Sequence, residues 1–464
     1  MTDSGTGHAE FSGSAEPPPW REVFAGARGR RTAGLLMLEA VAAMEALVVA
    51  TILPAVRAEL GDVQLYGWTF SAYTLAAFGT IPLSGRAVDR YGARRPLAAM
   101  LALYAVGLLI AASAPSMPVL ILGRFILGTG AGGLYSVSIG AVANTYPDRL
   151  RPRVLALMAS MWILPGLFGP PLGALLAVTV GWRWAFVVPL PALFAASILV
   201  FPPLGATKAQ PDEVAALPVR WPLQLMVGVG MALSGLTDPS AWTPVLIVAG
   251  VAVGIPALVK IVPAGTLRAR RGIPAAAAAA FLLSSTFGAA DGFLPLMLTG
   301  VRRVSIGRAG LVVTVGAFAW AAGSWWQSRR AGSWPATRLV ALGASLIAFG
   351  TIVVGIGVND AVPVLAVYAG WLVAAFGMGI AFPTIPFAVM HEVGERRGST
   401  EVSSTLLMDV LGWGVGAGLG GSCIALAHAA GKSLTFGIVG AFTIAVLTAL
   451  TLLSISPRLP SGRS

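Results

Sequence analysis

Residues 85–95 read Gly-Arg-Ala-Val-Asp-Arg-Tyr-Gly-Ala-Arg-Arg and connect two long apolar runs, 67–84 and 96–115. A connection this short and this basic predicts a tight turn between two antiparallel helices. Its two glycines allow close backbone approach, because glycine has no Cβ and adopts positive φ freely. The glycines and charged residues on which this prediction rests are Gly85, Asp89, Arg90, Gly92, Arg94 and Arg95.

The chain as a whole is strongly apolar. Of its 464 residues, 56% are hydrophobic and only 11% are charged, and the mean hydropathy is +0.81. A soluble domain carries about 25% charged residues, so the composition excludes an ordinary soluble enzyme and indicates an integral membrane protein. The formal charge of +12 would suggest a nucleic-acid partner in a soluble protein. Here the basic residues lie in short loops between apolar runs, and we predict no such partner.

Apolar run length predicts the number of membrane spans, since a helix needs about 20 mostly apolar residues to cross a bilayer. The rule gives fourteen spans, near 33–56, 67–84, 96–115, 118–142, 154–178, 186–204, 222–237, 242–262, 275–299, 305–327, 337–358, 361–389, 403–427 and 433–455. The seventh run is short, so the seventh and eighth runs fit either two spans or a re-entrant pair. The predicted fold class is therefore an all-α polytopic membrane protein with fourteen transmembrane helices.

Basic residues predict the orientation. Most of the 31 Lys and Arg residues fall in loops on the side of the N-terminus, a bias of about four to one that places both termini in the cytoplasm. The opposite side carries Arg57, Arg183, Arg302, Arg303, Arg308 and Lys432. The cluster from Arg302 to Arg308 is the discordant loop. We therefore expect a multi-pass protein of the cell membrane.

The string Gly-x-x-x-Asp-Arg-x-Gly-x-Arg-Arg at residues 85–95 resembles the signature loop of the major facilitator superfamily. The residues alone leave two interpretations of Asp89, at the end of its predicted helix. Either it pairs with arginines or faces a neighbouring helix N-terminus, as a latch that one conformation releases, or it is a solvated counter-charge in an orienting loop. The resemblance favours the latch.

Arg124 lies inside the fourth apolar run. An intramembrane arginine is costly, so it should face the protein interior with an acidic or carbonyl partner. The segment resembles the superfamily's Arg-x-x-x-Gly-x-Gly motif, whose arginine is tied to proton coupling, although Leu127 replaces the usual Gln. The alternative is a purely structural ion pair. Residues Gly128 to Gly133 also read Gly-x-Gly-x-x-Gly, but no strand precedes them, so a dinucleotide site is not expected.

The fifth run contains Gly169, Pro170 and Gly173 in a Gly-Pro-x-x-Gly pattern. Glycines four residues apart permit tight helix contact, and proline bends the helix. The pattern resembles the antiporter motif of drug exporters, with Pro165 and Ala174 departing from its outer glycines. An ordinary packing kink is the alternative.

Four acids lie within predicted spans: Glu39, Glu45, Asp291 and Asp409. A carboxyl group in apolar surroundings holds a proton more tightly than one in water, so it can bind and release a proton near physiological pH. Glu45 is roughly 18 Å from the cytoplasmic end of its helix at 1.5 Å per residue, close to the midplane, whereas Glu39 is nearer the interface. The segment from Met44 to Pro54 is similar to the first helix of fourteen-helix drug:proton antiporters, with Glu45 in place of the usual Asp. We therefore predict Glu45 as the main proton carrier; satisfied structural networks are the alternative for all four acids.

Two further features concern the later spans. Aromatic side chains within spans are Trp162, Trp320, Trp371, Trp413 and Tyr368, which suit either a hydrophobic drug cavity or ordinary packing. The thirteenth run carries a series of glycines: Gly412, Gly414, Gly416, Gly418, Gly420 and Gly421. Small residues let helices approach closely and slide, which suits a rocking bundle.

The resemblance implies a domain order of six helices, an inserted pair and six more. Residues 1–32 are polar and rich in Pro, Gly and Ser, which indicates a disordered cytoplasmic tail. The domains that follow are an N-terminal bundle at 33–205, a linker with two additional helices at 206–272, a C-terminal bundle at 273–456 and a cytoplasmic tail at 457–464. The resemblance also implies alternating access, without cofactor or metal, and a likeness to proton-coupled efflux pumps for hydrophobic or cationic drugs. The expected partners are such a small molecule, protons and membrane lipid, and the expected state is a monomer. An exporter or importer of a lipid or metabolite on the same scaffold, or a non-transporting receptor, are the alternatives; no nucleophile–base or metal set indicates an enzyme.

Overall fold

The computed structural model describes residues 20–147, 150–161, 163–201, 218–237, 240–330, 333–393 and 398–460. All the regular secondary structure in these residues is helical. The helices of the first part are α1 (Gly26–Leu60), α2 (Trp68–Tyr91), α3 (Arg94–Ala112), α4 (Met117–Thr145), α5 (Ile163–Thr179) and α6 (Pro189–Val200). Short helices at Trp20–Val23, Arg151–Ser160 and Trp184–Val187 precede α1, α5 and α6.

The remaining helices follow the same order as the predicted runs. They are α7 (Arg220–Thr237), α8 (Thr243–Ile261), α9 (Ile273–Asp291), α10 (Ile306–Ser328), α11 (Ala336–Ile356), α12 (Val364–Val393), α13 (Gly398–Ala429) and α14 (Leu434–Ile455). A short helix at Leu294–Leu296 and a π turn at Met297–Val301 extend α9. The order of the predicted runs is that of the fourteen helices, although the fifth and sixth runs also overlap the short helices Arg151–Ser160 and Trp184–Val187.

Helix length and composition support the membrane assignment. Within the described residues, 10 helices are long and apolar enough to cross a membrane. Two shorter apolar helices cover Leu164–Thr179 and Trp184–Val200. The predicted all-α polytopic architecture is confirmed at this level.

The helices pack as two similar bundles. In the first, α4 packs against α2 and α3, and α1 packs against α5 and α6. In the second, α12 packs against α10 and α11, and α9 packs against α13 and α14. The same neighbours recur in the same order, as in transporters built from internal repeats. The bundles meet along two seams, α2 with α13 and α5 with α10.

The inserted pair α7–α8 lies over the first of these seams. Helix α7 packs against α8 and also contacts α2 and α13. The indole N–H of Trp68, at the start of α2, donates to the hydroxyl of Thr237 at the end of α7 over 2.8 Å. Side chains of α7 also reach both walls of the seam, because Leu233 lies against Gly418 and Met226 lies against Gly79. The pair is therefore fastened to the outside of the α2–α13 seam.

The bundles approach closely near the α1–α2 connection, which the predicted orientation puts outside the cell; we call this the outer end. There Gly67 faces Gly421 of α13, and a Cβ placed on Gly67 would lie 2.5 Å from the Cα of Gly421. The Tyr66 ring lies 5.7 Å from that of Phe293, and the Ser71 hydroxyl donates to the Gly414 carbonyl over 2.9 Å. The outer end is closed by direct backbone and aromatic contact between the two bundles.

The start of α1 differs from the predicted limit of the N-terminal tail at residue 32. The helix begins at Gly26, and Val23 before it is fully buried. The Thr32 hydroxyl hydrogen-bonds the Tyr146 hydroxyl over 2.8 Å and donates to the Val23 carbonyl over 3.0 Å. Sequence composition suggested a tail, but these tertiary contacts order residues 20–32; residues 1–19 lie outside the described part.

Arg302 explains part of the discordant basic cluster. Its guanidinium donates to the carbonyls of Gly357, Asn359 and Val362 and pairs with Asp360 at 3.1 Å. The side chain is only 6% exposed. This residue therefore ties the α9–α10 connection to the α11–α12 connection, which gives it a structural reason to lie on the side opposite most basic residues.

We expect Arg302→Ala to lower the free energy of unfolding by about 2 kcal/mol, since several carbonyls lose a charged donor. The neighbouring Arg303 is exposed and is the matched control, with an expected effect of Arg303→Ala within about 0.5 kcal/mol. Thermal unfolding in detergent measures both. Equal melting temperatures for the two variants would show that the bridge contributes nothing.

Candidate functional site

Glu45 and Arg124 form a buried ion pair between α1 and α4. Their exposures are 1% and 3%, and a guanidinium nitrogen of Arg124 bonds the Glu45 carboxylate Oε1 directly. The Arg124 Nε also donates to the Thr69 carbonyl over 2.9 Å, and its guanidinium lies 4.4 Å from the Tyr73 ring centroid. The sequence predicted an acidic or a carbonyl partner for Arg124. In the structure Arg124 has both, the Glu45 carboxylate and the Thr69 carbonyl, and it also contacts the Tyr73 ring.

Glycine spacing on α4 makes this geometry possible. A Cβ on Gly132 would lie 2.6 Å from the Ala77 Cα of α2, and one on Gly130 would lie 2.6 Å from the Tyr104 backbone N of α3. Alternate glycines therefore bring α4 against two helices at once, and the side chain of Arg124 reaches the α2 backbone. The Gly128–Gly133 run serves helix packing, consistent with its lacking a preceding strand.

Two polar atoms near the pair have no hydrogen-bond partner within the described residues. They are the second carboxylate oxygen of Glu45, Oε2, and the hydroxyl of Tyr104 on α3, and both are buried. Tyr104 lies within electrostatic range of Glu45 and Tyr73. A buried polar atom without a partner is costly, so such atoms tend to have a functional reason. The open oxygen of Glu45 is a position where a proton can bind without displacing Arg124.

Glu39 faces the same region one and a half turns earlier on α1. It lies within electrostatic range of Tyr73, Tyr104 and Tyr135. Tyr135, on α4, is also within range of Asp409 on α13 of the other bundle. The predicted acids Glu39, Glu45 and Asp409 therefore belong to one central region that both bundles border.

Asp291 occupies a different place, at the end of α9 and the closed outer end. It is 9% exposed. Tyr66 lies within electrostatic range of both Asp291 and Arg57. The Tyr66 hydroxyl is buried without a hydrogen-bond partner among the described residues. Asp291 thus lies at the outer closure and apart from the central region.

The antiporter-type glycines of α5 face the helix that carries Glu45. A Cβ on Gly173 would lie 3.2 Å from Val48 Cγ1, and one on Gly169 would lie 3.3 Å from Met44 Sδ, next to Glu45 in sequence. On another side of α5, the Pro170 carbonyl lies 3.4 Å from a Cβ built on Gly310 of α10. Helix α5 therefore lies between the helix of Glu45 and the second bundle.

The basic loop forms the predicted tight turn. Helix α2 ends at Tyr91, and Gly92 follows with φ of 73° and donates its N–H to the Val88 carbonyl over 2.8 Å. Helix α3 begins two residues later, at Arg94. Arg90, Arg94 and Arg95 are exposed, and a Cβ on Gly85 would lie 3.5 Å from the Ser136 hydroxyl of α4. The side chain of Asp89 lies outside what the structure describes, so the latch stays a prediction.

An aromatic cluster in the second bundle joins four helices. Phe287 of α9 is at its centre, with ring distances of 5.3 Å to Trp320 of α10, 5.0 Å to Trp371 of α12 and 5.5 Å to Trp413 of α13. The sequence indicated the three tryptophans as candidates but missed Phe287, whose spacing on an apolar helix gave no signal. Tyr368 lies elsewhere and donates its hydroxyl to the Arg308 carbonyl; Trp162 is outside the described residues.

Comparison with known proteins decides the family. The model of the Major Facilitator Superfamily matches residues 35–400. The chain belongs to this superfamily. Solved structures agree with this fold. A bacterial homologue of the human lysosomal transporter Spinster, in an inward-facing conformation, superposes with a TM-score of 0.68 at 14% identity. The match covers 95% of this chain and 99% of the other. A peptide transporter of the POT family gives the same score at 16% identity, over 92% and 97%.

Relatives of this superfamily member carry names of efflux proteins. A probable multidrug-efflux transporter of Mycobacterium tuberculosis is 26% identical over 93% of this chain and 95% of its own. The efflux pump roqT of Penicillium rubens is 36% identical over 34% of this chain and 30% of its own. The chain thus aligns with about a third of the length of the first fungal pumps it matches.

Proposed function

We propose that this superfamily member exports hydrophobic or cationic drugs in exchange for protons. The observation that carries the proposal is the buried Glu45–Arg124 pair inside the first bundle, in which the second carboxylate oxygen of Glu45 has no hydrogen-bond partner among the described residues. An ionisable pair in the membrane interior is expensive and is typical of proton relays. The names of the efflux relatives, one of them aligned over nearly the full length, support drug export as the transported chemistry.

The proposed arrangement in the membrane completes the fold. We infer fourteen spans in the cell membrane, with α2, α5, α6 and α7 crossing beside the ten helices that are long and apolar enough by themselves, and with both termini in the cytoplasm. Two bundles, 33–205 and 273–456, flank the inserted pair in 206–272, and the transporter works as a monomer. The paired packing of α7 with α8 supports two spans over a re-entrant pair.

In the proposed cycle, protonation of Glu45 is the step that couples to movement. The protonated acid loses most of its attraction for Arg124, and Arg124 is also bound to α2 through Thr69 and Tyr73. A change in the pair therefore changes how α1, α2 and α4 hold together. Since α2 and α5 both form seams with the second bundle, rocking of the bundles about the central region exposes it to each side in turn.

The test uses purified protein in liposomes with an acidic lumen, a lumenal pH dye and the membrane potential clamped to zero. We expect the lumen to become more alkaline when ethidium is added outside, because inward drug movement releases protons outward. Protein-free liposomes and liposomes treated with nigericin are the controls. If no compound in a panel of cations, neutral drugs and lipids moves protons, drug:proton exchange is excluded; a response to lipid alone would indicate the lipid exporter instead.

A further inference from the structure

The central region contains three acids, and the surroundings of two of them, Glu45 and Asp409, differ. The charge of Glu45 is matched by the guanidinium of Arg124. Asp409 accepts a hydrogen bond from the Ser284 hydroxyl, and among the described residues no lysine or arginine is paired with it. A carboxylate within a membrane-spanning bundle and without a cation is unfavourable, even when partly exposed, unless it is protonated or a ligand brings the charge. Asp409 can therefore pair with the positive charge of a ligand, whereas Glu45 is already paired with Arg124.

The aromatic cluster lies beside Asp409. Trp413 follows Asp409 by one turn on α13, and Phe287 follows Ser284 by one turn on α9, so these residues share facing surfaces. The ring of Phe287 contacts those of Trp413 and Trp320. Asp409, Trp413 and Trp320 are all partly exposed, whereas Phe287 beneath them is buried. Indole faces attract organic cations through their ring quadrupole.

The position of this group is between the bundles. Tyr135 of the first bundle lies within electrostatic range of Asp409, and α10, which carries Trp320, forms the seam with α5. A ligand at Asp409 would therefore contact the second bundle while facing Tyr135 of the first.

We propose that Asp409, Trp413 and Trp320 form a binding subsite for the cationic group of an aromatic, lipophilic organic cation. The subsite is separate from the proton site at Glu45, and Ser284 positions the Asp409 carboxylate. This inference rests on the proposed drug transport and names its substrate class. One bundle holds the proton and the other holds the drug, so the two ligands compete through bundle movement and need not compete for one carboxylate.

The test is equilibrium binding of radiolabelled tetraphenylphosphonium to full-length protein in nanodiscs. Asp409→Asn keeps an acceptor for Ser284 and removes the charge, and we expect it to weaken binding by about tenfold or more. Asp409→Glu restores the charge and should recover most of the affinity. Trp413→Leu and Trp320→Leu should each weaken binding by about threefold to tenfold. Trp325→Leu is the matched control, because Trp325 is 58% exposed on α10. The affinity of this variant for tetraphenylphosphonium should equal that of the wild type.

Neutral triphenylphosphine separates charge recognition from a packing effect. Its binding should be unchanged in Asp409→Asn and weakened in the two tryptophan variants. Equal loss of both probes in Asp409→Asn, or wild-type phosphonium binding in that variant, would overturn the subsite. Normal phosphonium binding together with no proton movement in liposomes would leave the subsite standing and refute proton coupling.

Discussion

Replacing Glu45 by Gln is expected to abolish drug-dependent proton movement in liposomes. The variant keeps the shape of the side chain but cannot exchange a proton, and it leaves the Arg124 guanidinium buried without a counter-charge. Breaking a buried ion pair by removing one partner costs about 3 to 5 kcal/mol. We therefore expect a lower melting temperature as well as lost coupling.

The chain provides a matched control in a second glutamate–arginine pair. Glu59 and Arg183 are paired near the outer end, but their side chains are 50% and 37% exposed. An exposed pair contributes at most about 1 kcal/mol. Glu59→Gln should therefore retain both transport and melting temperature. Proton-coupled transport at the wild-type rate in Glu45→Gln would move the carrier to another acid.

Glu45→Asp separates the loss of proton coupling from the loss of stability. It preserves the exchangeable proton and the charge opposite Arg124, although the carboxylate is one methylene further away. We expect reduced but measurable coupling and a smaller loss of stability than in Glu45→Gln. Loss of stability without loss of coupling in Glu45→Gln would mark the pair as structural, which is the alternative that the sequence left open.

Gly421→Leu is expected to prevent closure of the outer end and to stop transport. The Cα of Gly421 lies against Gly67, and even a Cβ on Gly421 would be 2.5 Å from the Gly67 Cα. Both partners at this contact are backbone, so no side chain can move aside. The bundles must separate to admit leucine, which shifts the population toward conformations that are open outward.

Cysteine labelling measures this shift. The chain has a single cysteine, so Cys423→Ser gives a background in which Ala417→Cys reports on the closure; the Ala417 carbonyl lies 2.9 Å from a Cβ on Gly67. We expect an impermeant maleimide applied to cells to label this site at least about tenfold faster with Gly421→Leu. Gly230→Leu, where the structure leaves open space, is the control. Unchanged labelling with lost transport would show that the contact does not gate the outer end.

Features that depend on local sequence were predictable. The turn at Gly92, the positions of the helices and the interior location of Arg124 follow from glycine freedom, apolar run length and the cost of a charge in lipid. The choice of Glu45 as the partner of Arg124 was beyond the sequence, because four acids satisfied the same rule. Arg302 was equally hidden, since its three carbonyl partners lie in a loop more than fifty residues away.

The aromatic cluster shows the same limit in the second bundle. Its tryptophans were visible as aromatic residues within spans, but their convergence on Phe287 depends on how four helices pack. The start of α1 differs from the predicted limit for a related reason, because residues 20–32 resemble a tail in composition and gain order from tertiary contacts such as those of Thr32 with Val23 and Tyr146. The sequence therefore predicted which kinds of residue belong to the candidate site. Which of them lie together could be seen only in the folded structure.

The helix pair fastened over the α2–α13 seam gives the molecule two unequal sides within the bilayer. On that side, α7 stands between the seam and the surrounding lipid. On the opposite side, α5 and α10 expose apolar side chains directly, including Leu164, Phe168 and Phe318. Of the two seams between the described helices, the one between α5 and α10 is the one that α7 leaves uncovered. Under the proposed function, an apolar compound dissolved in the membrane would therefore enter from that side.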